Sequence, residues 1–323
     1  MTVQLSSPRP FLGADERLVD AVTQVLTGCG LSLRATDSQE WQLSTAGRTG
    51  TARIDEGWLV VDFPPPRGRA PSPLRTLERN AELTGNAKHV LLDDGVIRLR
   101  AEVPLDEANG CGAAGTARQV RDAAAGLASA LGASNAATAC SADAPGEAGS
   151  DSEAPSSDPG ALCSEADWSY NERASGCFHV DLDVPGGAFH QAAVRRDGER
   201  IVQRLELIAE DTVAREGAAG VAIAALLLRV SGVVRMARAA SWRADRGRAW
   251  GFEVQLPGTT TVGAFVHGLA ALSVACGLSG REVRALAEDP ALARHYLEIR
   301  HRRLVPKRRA HQRRLGAAHP AAR

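Results

Sequence analysis

The stretches Val96-Ile97-Arg98-Leu99-Arg100-Ala101-Glu102-Val103-Pro104-Leu105 and Ala249-Trp250-Gly251-Phe252-Glu253-Val254-Gln255-Leu256-Pro257 follow one plan, and that plan decides the fold. Apolar residues recur at every second position in both, the period of a strand with one face in a core. Both close on Glu-Val-x-Leu, and each follows a turn, Asp93-Asp94-Gly95 or Asp245-Arg246-Gly247. Before the turns lie the short runs Val90-Leu91-Leu92 and Ser241-Trp242. Two extended runs joined by a tight glycine turn make an antiparallel hairpin.

Working outward, the same neighbours appear twice. A helical stretch leads into each hairpin, at residues 75–83 and 225–234, and an alanine-rich helix follows each, at residues 117–131 and 262–276. Those following helices end alike, in Ala130-Leu131-Gly132 and Ala275-Cys276-Gly277. Upstream, Trp41-Gln42-Leu43 and Trp168-Ser169-Tyr170 each open a strand. Self-similarity at half the chain length is duplication of a domain, since the period is far too long for a solenoid.

The remaining elements fill in around this plan. Residues 15–28 place Leu18, Val19, Val22, Val25 and Leu26 on one helical face and stop at Gly28 and Gly30. Strands are expected at 31–35, 40–44, 51–54 and 58–63, the last two turned at Asp55-Glu56-Gly57. Pro64-Pro65-Pro66 onward reads as an extended crossover. In the second half, strands are expected at 177–184, 191–195 and 201–208, then a helix at 218–234. A final helix is expected at 279–299, with Ser279 and Glu282 at capping-box spacing. Short turns between neighbouring strands imply antiparallel sheets packed with helices, an α+β class of two similar domains. The expected division is an α+β domain at 13–133, a disordered acidic linker at 134–166, a second α+β domain at 167–299 and a basic tail at 300–323.

A chain of 323 residues is about two domains at roughly 150 residues each. Its hydrophobic content of 44% and charged content of 24% are ordinary for globular proteins. The zero formal net charge conceals a segregation. From residue 136 to 167 the charges are all acidic, and from 300 to 323 all basic. Residues 1–13 lack the basic start and apolar run of a secretory signal. The apolar stretches 221–228 and 262–278 fall short of the roughly 20 residues a membrane span needs, so a cytoplasmic protein is expected. The six cysteines stand at irregular positions and read as free thiols, Cys276 in a helix core.

Several motifs have a functional and a plain reading. Gly110-Cys111-Gly112-Ala113-Ala114-Gly115 matches G-x-G-x-x-G, but a dinucleotide site needs that loop directly after the first strand of a parallel unit, with an acid about 20 residues on. Here Asp106 to Asn109 intervene, the strand is one arm of a hairpin, and no acid stands between Asp122 and Asp143. The loop reads as a flexible connection, and no cofactor is expected. Cys163, Cys177, His179 and His190 fit no zinc spacing, so no metal is expected either. Asp181 and Asp183 alternate with Leu182 and Val184, as on a solvated strand face. No catalytic residue is assigned, and the chain is not expected to be an enzyme. In the tail, Arg302, Arg303, Lys307, Arg308, Arg309, Arg313 and Arg314 have the composition of a polyanion-binding arm, without aromatic residues to stack on bases. The plain reading of the tail is a solvated terminus.

The phrase Leu77-Glu78-Arg79-Asn80-Ala81-Glu82-Leu83-Thr84-Gly85-Asn86-Ala87-Lys88 before an apolar strand, with Arg98-Leu99-Arg100-Ala101-Glu102-Val103-Pro104-Leu105 after it, resembles bacterial proteins of the type III secretion chaperone-like fold, including YbjN-type domains. The resemblance covers both halves, the first better, because the second has no opening helix unless the linker supplies one. It implies a small α+β domain that pairs with a copy of itself and binds other proteins without catalysis. Two functional expectations follow. The first is a non-catalytic interaction module, chaperone-like or regulatory, whose repeats pair as a covalent pseudo-dimer and whose partner is another protein, away from any membrane. The second is a nucleic-acid-associated protein that binds through the arginine tail.

Overall fold

The computed structural model describes residues 31–37, 39–45, 48–65, 72–105, 158–184, 188–244 and 247–304, together with helical residues 22–23, 26–27, 120, 123–124, 126–127 and 130–131. The first half forms one sheet from β1 (Ser32–Asp37), β2 (Glu40–Thr45), β3 (Arg48–Asp55), β4 (Trp58–Phe63), β5 (Ala87–Leu91) and β6 (Ile97–Pro104), with α1 (Pro73–Glu82) between β4 and β5. The second half opens with α2 (Pro159–Glu165) and builds its own sheet. Its strands are β7 (Tyr170–Ala174), β8 (Cys177–Val184), β9 (Ala188–Asp197), β10 (Arg200–Ala209), β11 (Arg238–Ala244) and β12 (Gly247–Pro257). Helix α3 (Ala218–Val233) precedes β11, and α4 (Val262–Glu288) and α5 (Pro290–Arg300) close the chain before a 3-10 turn at Arg302–Leu304.

The two sheets have the same topology, β1-β2-β3-β4-β6-β5 and β7-β8-β9-β10-β12-β11, with every pair antiparallel. The expected hairpins are both present, β5 with β6 and β11 with β12, and so is the β3–β4 turn. That turn holds Glu56 and Gly57 at φ of 50° and 79°, a left-handed pair that glycine makes easy.

Alternation gives each sheet one apolar face. In the first half Trp41, Leu43, Ala52, Val61, Phe63, Leu99 and Val103 are buried under Val22 and Leu26 of the opening helix and Val120, Ala123 and Leu127 of the later one. In the second half, α4 covers the sheet with Phe265, Leu269, Leu272 and Cys276. The buried side chain of Gln203 donates from strand to helix, Nε2 to the Phe265 carbonyl at 3.0 Å.

Three expectations need correction. The stretch 134–166 is not linker throughout: Asp158 caps α2 by accepting from the Ala161 N–H, and Leu162 and Cys163 are buried. Cap, proline at the first helical position and a small apolar face suffice for two turns in a segment whose composition looks disordered. Helix α2 therefore supplies, from the linker, the opening helix of the second half. The repeat also runs in a different register at its start. Trp168 donates its N–H to the Cys163 carbonyl as Leu31 does to that of Leu26, so Trp168 matches Leu31 and not Trp41.

The third correction concerns the C-terminal helices. No break falls at Gly277 and no cap at Ser279, whose hydroxyl instead donates back to the Ala275 carbonyl inside α4. The break comes at Asp289-Pro290, where proline cannot donate and the Asp289 carboxylate caps Ala291 and Leu292. At 27 residues, α4 is long and apolar enough to cross a membrane, with mean hydropathy of 1.7 over its most apolar window. In this fold its inner face lies on the sheet.

Candidate functional site: the charged seam and the cleft beside it

Each half lends its middle helix to the other. Helix α1 packs on β11, α3 packs on β5, and the two helices touch each other. Small residues permit the approach: Ala81 of α1 lies against Ala240 and Trp242, and Gly232 of α3 faces Val90 and Leu92. Leu74, Leu77, Leu91 and Ile97 of the first half join the same core as the second half's sheet and helices.

Charges line the two sheet faces that these helices cover. Strand register puts Asp62, Arg100 and Lys88 side by side across β4, β6 and β5. Arg100 grips Asp62 with two parallel bonds, Nε to Oδ1 at 2.8 Å and Nη2 to Oδ2 at 3.0 Å, and gives Nη1 to the Gly232 carbonyl at 3.0 Å. Lys88 Nζ lies 2.6 Å from Glu102 Oε2 and donates to the Val234 and Ala237 carbonyls at 3.0 and 3.2 Å. All three ammonium donors are used, two of them across the seam. Arg235 of the second half returns the contact, to Glu102 at 3.1 Å and Asp55 at 2.7 Å.

The second sheet mirrors this. Arg204, Glu253 and Arg238 stand in one row across β10, β12 and β11. Glu253 binds Arg204 at 2.6 Å and pairs with Arg238, which donates Nη1 to the Ala87 carbonyl at 3.0 Å and the Gly85 carbonyl at 3.4 Å. Lys88 and Arg238 play one role from neighbouring rungs, because Arg238 opposes Glu253 whereas Lys88 opposes Arg100. Burial pushes the Glu253 carboxyl up, but the two guanidiniums outweigh it and hold the group below the usual range. For Lys88, burial outweighs the Glu102 carboxylate and lowers the ammonium from its ordinary value.

Asn80 is the hub between helix, strand and seam. Its amide donates to the His89 carbonyl at 3.0 Å and the Ala239 carbonyl at 2.7 Å, while its oxygen accepts the His89 N–H at 2.7 Å and faces His89 Nδ1 at 3.0 Å. Ser231 occupies the matching place on α3, accepting the Ala239 N–H and donating to the Ala237 carbonyl. Burial first, then the charges of Arg79, Arg48 and Arg238, lower His89 to about 4, so the ring is neutral near pH 7.

Beside the seam a cleft of about 1420 Å³ opens between α1, the β5–β6 hairpin, the start of α3 and the C-terminal 3-10 turn. Arg48, Arg75, Arg79, Arg215 and Arg303 line it against Glu78, Glu82 and Glu216. Glu78 is taken by Arg215, which also holds Glu210 at 3.0 Å.

Of the tail residues named from sequence, Arg302 and Arg303 form the exposed 3-10 turn, and Arg303 reaches the cleft. Lys307, Arg308, Arg309, Arg313 and Arg314 lie outside the described residues, as does Gly110 to Gly115. Asp181 and Asp183 are exposed, and Asp181 accepts from Gln191 at 2.8 Å. Cys163 is buried, with burial pushing its thiol up to about 11. Among the described residues, no group of three or more His, Cys, Asp or Glu side chains could hold a metal. Sequence reasoning missed the seam, whose residues look like ordinary polar positions of alternating strands. The one available signal was the glutamate shared by both Glu-Val-x-Leu phrases.

No protein family matches the chain, and neither does any curated protein or solved structure.

Proposed function

We propose that the protein is a non-catalytic interaction module, chaperone-like or regulatory, acting in the cytoplasm as a covalent pseudo-dimer. The observation that carries this reading is the fate of the buried charge. Lys88, Arg100, Asp62, Glu102, Arg238 and Glu253 are buried and spent on one another and on carbonyls of the opposite half. Side chains so committed hold two halves in register, whereas acid–base or nucleophilic chemistry needs such groups open to a substrate. The resemblance to type III secretion chaperone-like, YbjN-type domains belongs to this proposal. It draws support from the common order of helix, strands, helix, hairpin and helix.

The test is capture of a partner by the full-length chain from an extract of its own cells, run in parallel with and without nuclease treatment. A protein retained in fixed proportion through a high-salt wash supports the proposal. Retention of nucleic acid alone, lost when residues 305–323 are removed and falling steeply with salt, would favour binding through the arginine tail instead.

A further inference from the structure

We infer that the cleft between the halves receives an acidic, apolar peptide segment of a partner protein; this rests on the interaction-module reading and deepens it. The cleft carries an excess of positive charge. With Glu78 occupied by Arg215, Glu82 and Glu216 are, among the described residues, the carboxylates left to face Arg48, Arg75, Arg79 and Arg303. Arg75 and Arg79 project from successive turns of α1 and are exposed, so both reach an incoming chain. His89 at the cleft wall is kept neutral by burial first, and then by the charges of Arg79, Arg48 and Arg238.

The lining between the arginines is partly apolar. Leu74, Ile97, Leu99, Val221 and Leu304 contribute to the lining, and among the described residues no Phe, Tyr or Trp does. Bases need rings to stack on, so these walls suit aliphatic side chains better than a nucleic acid. The volume exceeds the roughly 300–1,000 Å³ of ordinary small-molecule pockets and suits a length of chain. The protein's own acidic stretch, with Asp143, Glu147, Asp151 and Glu153, carries charge but almost no large apolar residue, which favours a partner as occupant.

Fluorescence anisotropy of the full-length protein tests this with three labelled probes: a short peptide alternating Leu and Glu, its Leu and Lys counterpart, and a short single-stranded DNA. The expected result is saturable binding of the Leu–Glu peptide alone, weakened about tenfold or more in Arg75→Glu/Arg79→Glu. Arg75→Gln/Arg79→Gln, which keeps the polarity without repulsion, should give an intermediate loss with an unchanged melting temperature. No binding of the Leu–Glu peptide, equal binding of the Leu–Lys peptide, binding indifferent to both variants, or DNA binding lost in the same variants would overturn the proposal. An affinity that rises several-fold when Asp143, Glu147, Asp151 and Glu153 are changed to Asn or Gln would give the cleft to the chain's own acidic segment and overturn the partner assignment. Partner capture that succeeds while the peptide fails would dismiss the cleft and leave the interaction module standing.

Discussion

Lys88 shows how a single residue binds two halves together. It is one of only two lysines in the sequence, it is 1% exposed, and its three donors go to one carboxylate and two carbonyls. Removing one partner of a buried pair leaves the other charge uncompensated, at about 3–5 kcal/mol, whereas replacing both with apolar groups is close to neutral. Arg235 and Arg100 still face Glu102 at 3.1 and 3.7 Å, so Lys88→Met should lower the unfolding free energy by less than that, about 2–3 kcal/mol, and Lys88→Met/Glu102→Leu should recover most of it. The recovery will be incomplete, because Arg235 also leans on Glu102 and is left with Asp55 alone. Urea titrations of the two variants check this; a harmless single variant would show that the pair does not carry the seam.

His89 gives the same region a pH dependence. Its folded value of about 4 lies below the roughly 6.5 of an unfolded histidine, so the unfolded chain takes up the proton first. The stabilising effect is complete above about pH 6.5 and fades as pH falls toward about 4, a loss of about 2 kcal/mol for a partly exposed ring. Unfolding measured at pH 7 and pH 5 should show this decline, and His89→Asn should flatten it. An equal slope in the variant would place the proton elsewhere.

At the scale of elements, what was legible in the sequence was what local chemistry dictates. The hairpins β3–β4, β5–β6 and β11–β12 follow from alternation and a turn glycine, both visible in letters. The C-terminal helices were misdivided because Gly277 and Ser279 look like punctuation. In a helix packed on a sheet, tertiary burial outweighs a glycine's cost of about 1 kcal/mol, while Pro290 removes a donor outright. Helix α2 escaped notice because its seven residues, with Leu162 and Cys163 as the only large apolar pair among Pro, Gly, Ala, Ser and Glu, give no period to read. Charged residues in the seam were invisible for another reason: a buried arginine and a solvated one alternate in the same way along a strand. Gly251 offers a check on packing between strands. A Cβ there would collide with the Leu205 carbonyl, close to the bulge where β10 slips between Glu206 and Ile208. Gly251→Val should cost more than about 2 kcal/mol by forcing β10 from β12, whereas Gly198→Ala, at a turn with open space around it, should cost only the strain of its φ of 60°. Thermal melts of both variants compare the two.

At the scale of the molecule, two sheets of one topology exchange their middle helices and share a core, so neither half is complete alone. Tethering raises the effective concentration of one half near the other to about millimolar, so the seam need only be moderately strong to stay closed in the intact chain. The pseudo-dimer reading demands more, that the seam hold without the tether. The direct measurement is to place a specific protease site between residues 136 and 157 of the full-length protein, cut it, and determine the mass of the product under native conditions by light scattering. The account predicts that both fragments remain together as a single one-to-one particle at micromolar concentration, and that Arg238→Ala or Lys88→Met loosens it. Fragments that separate on cutting, each folded and each alone, would contradict it.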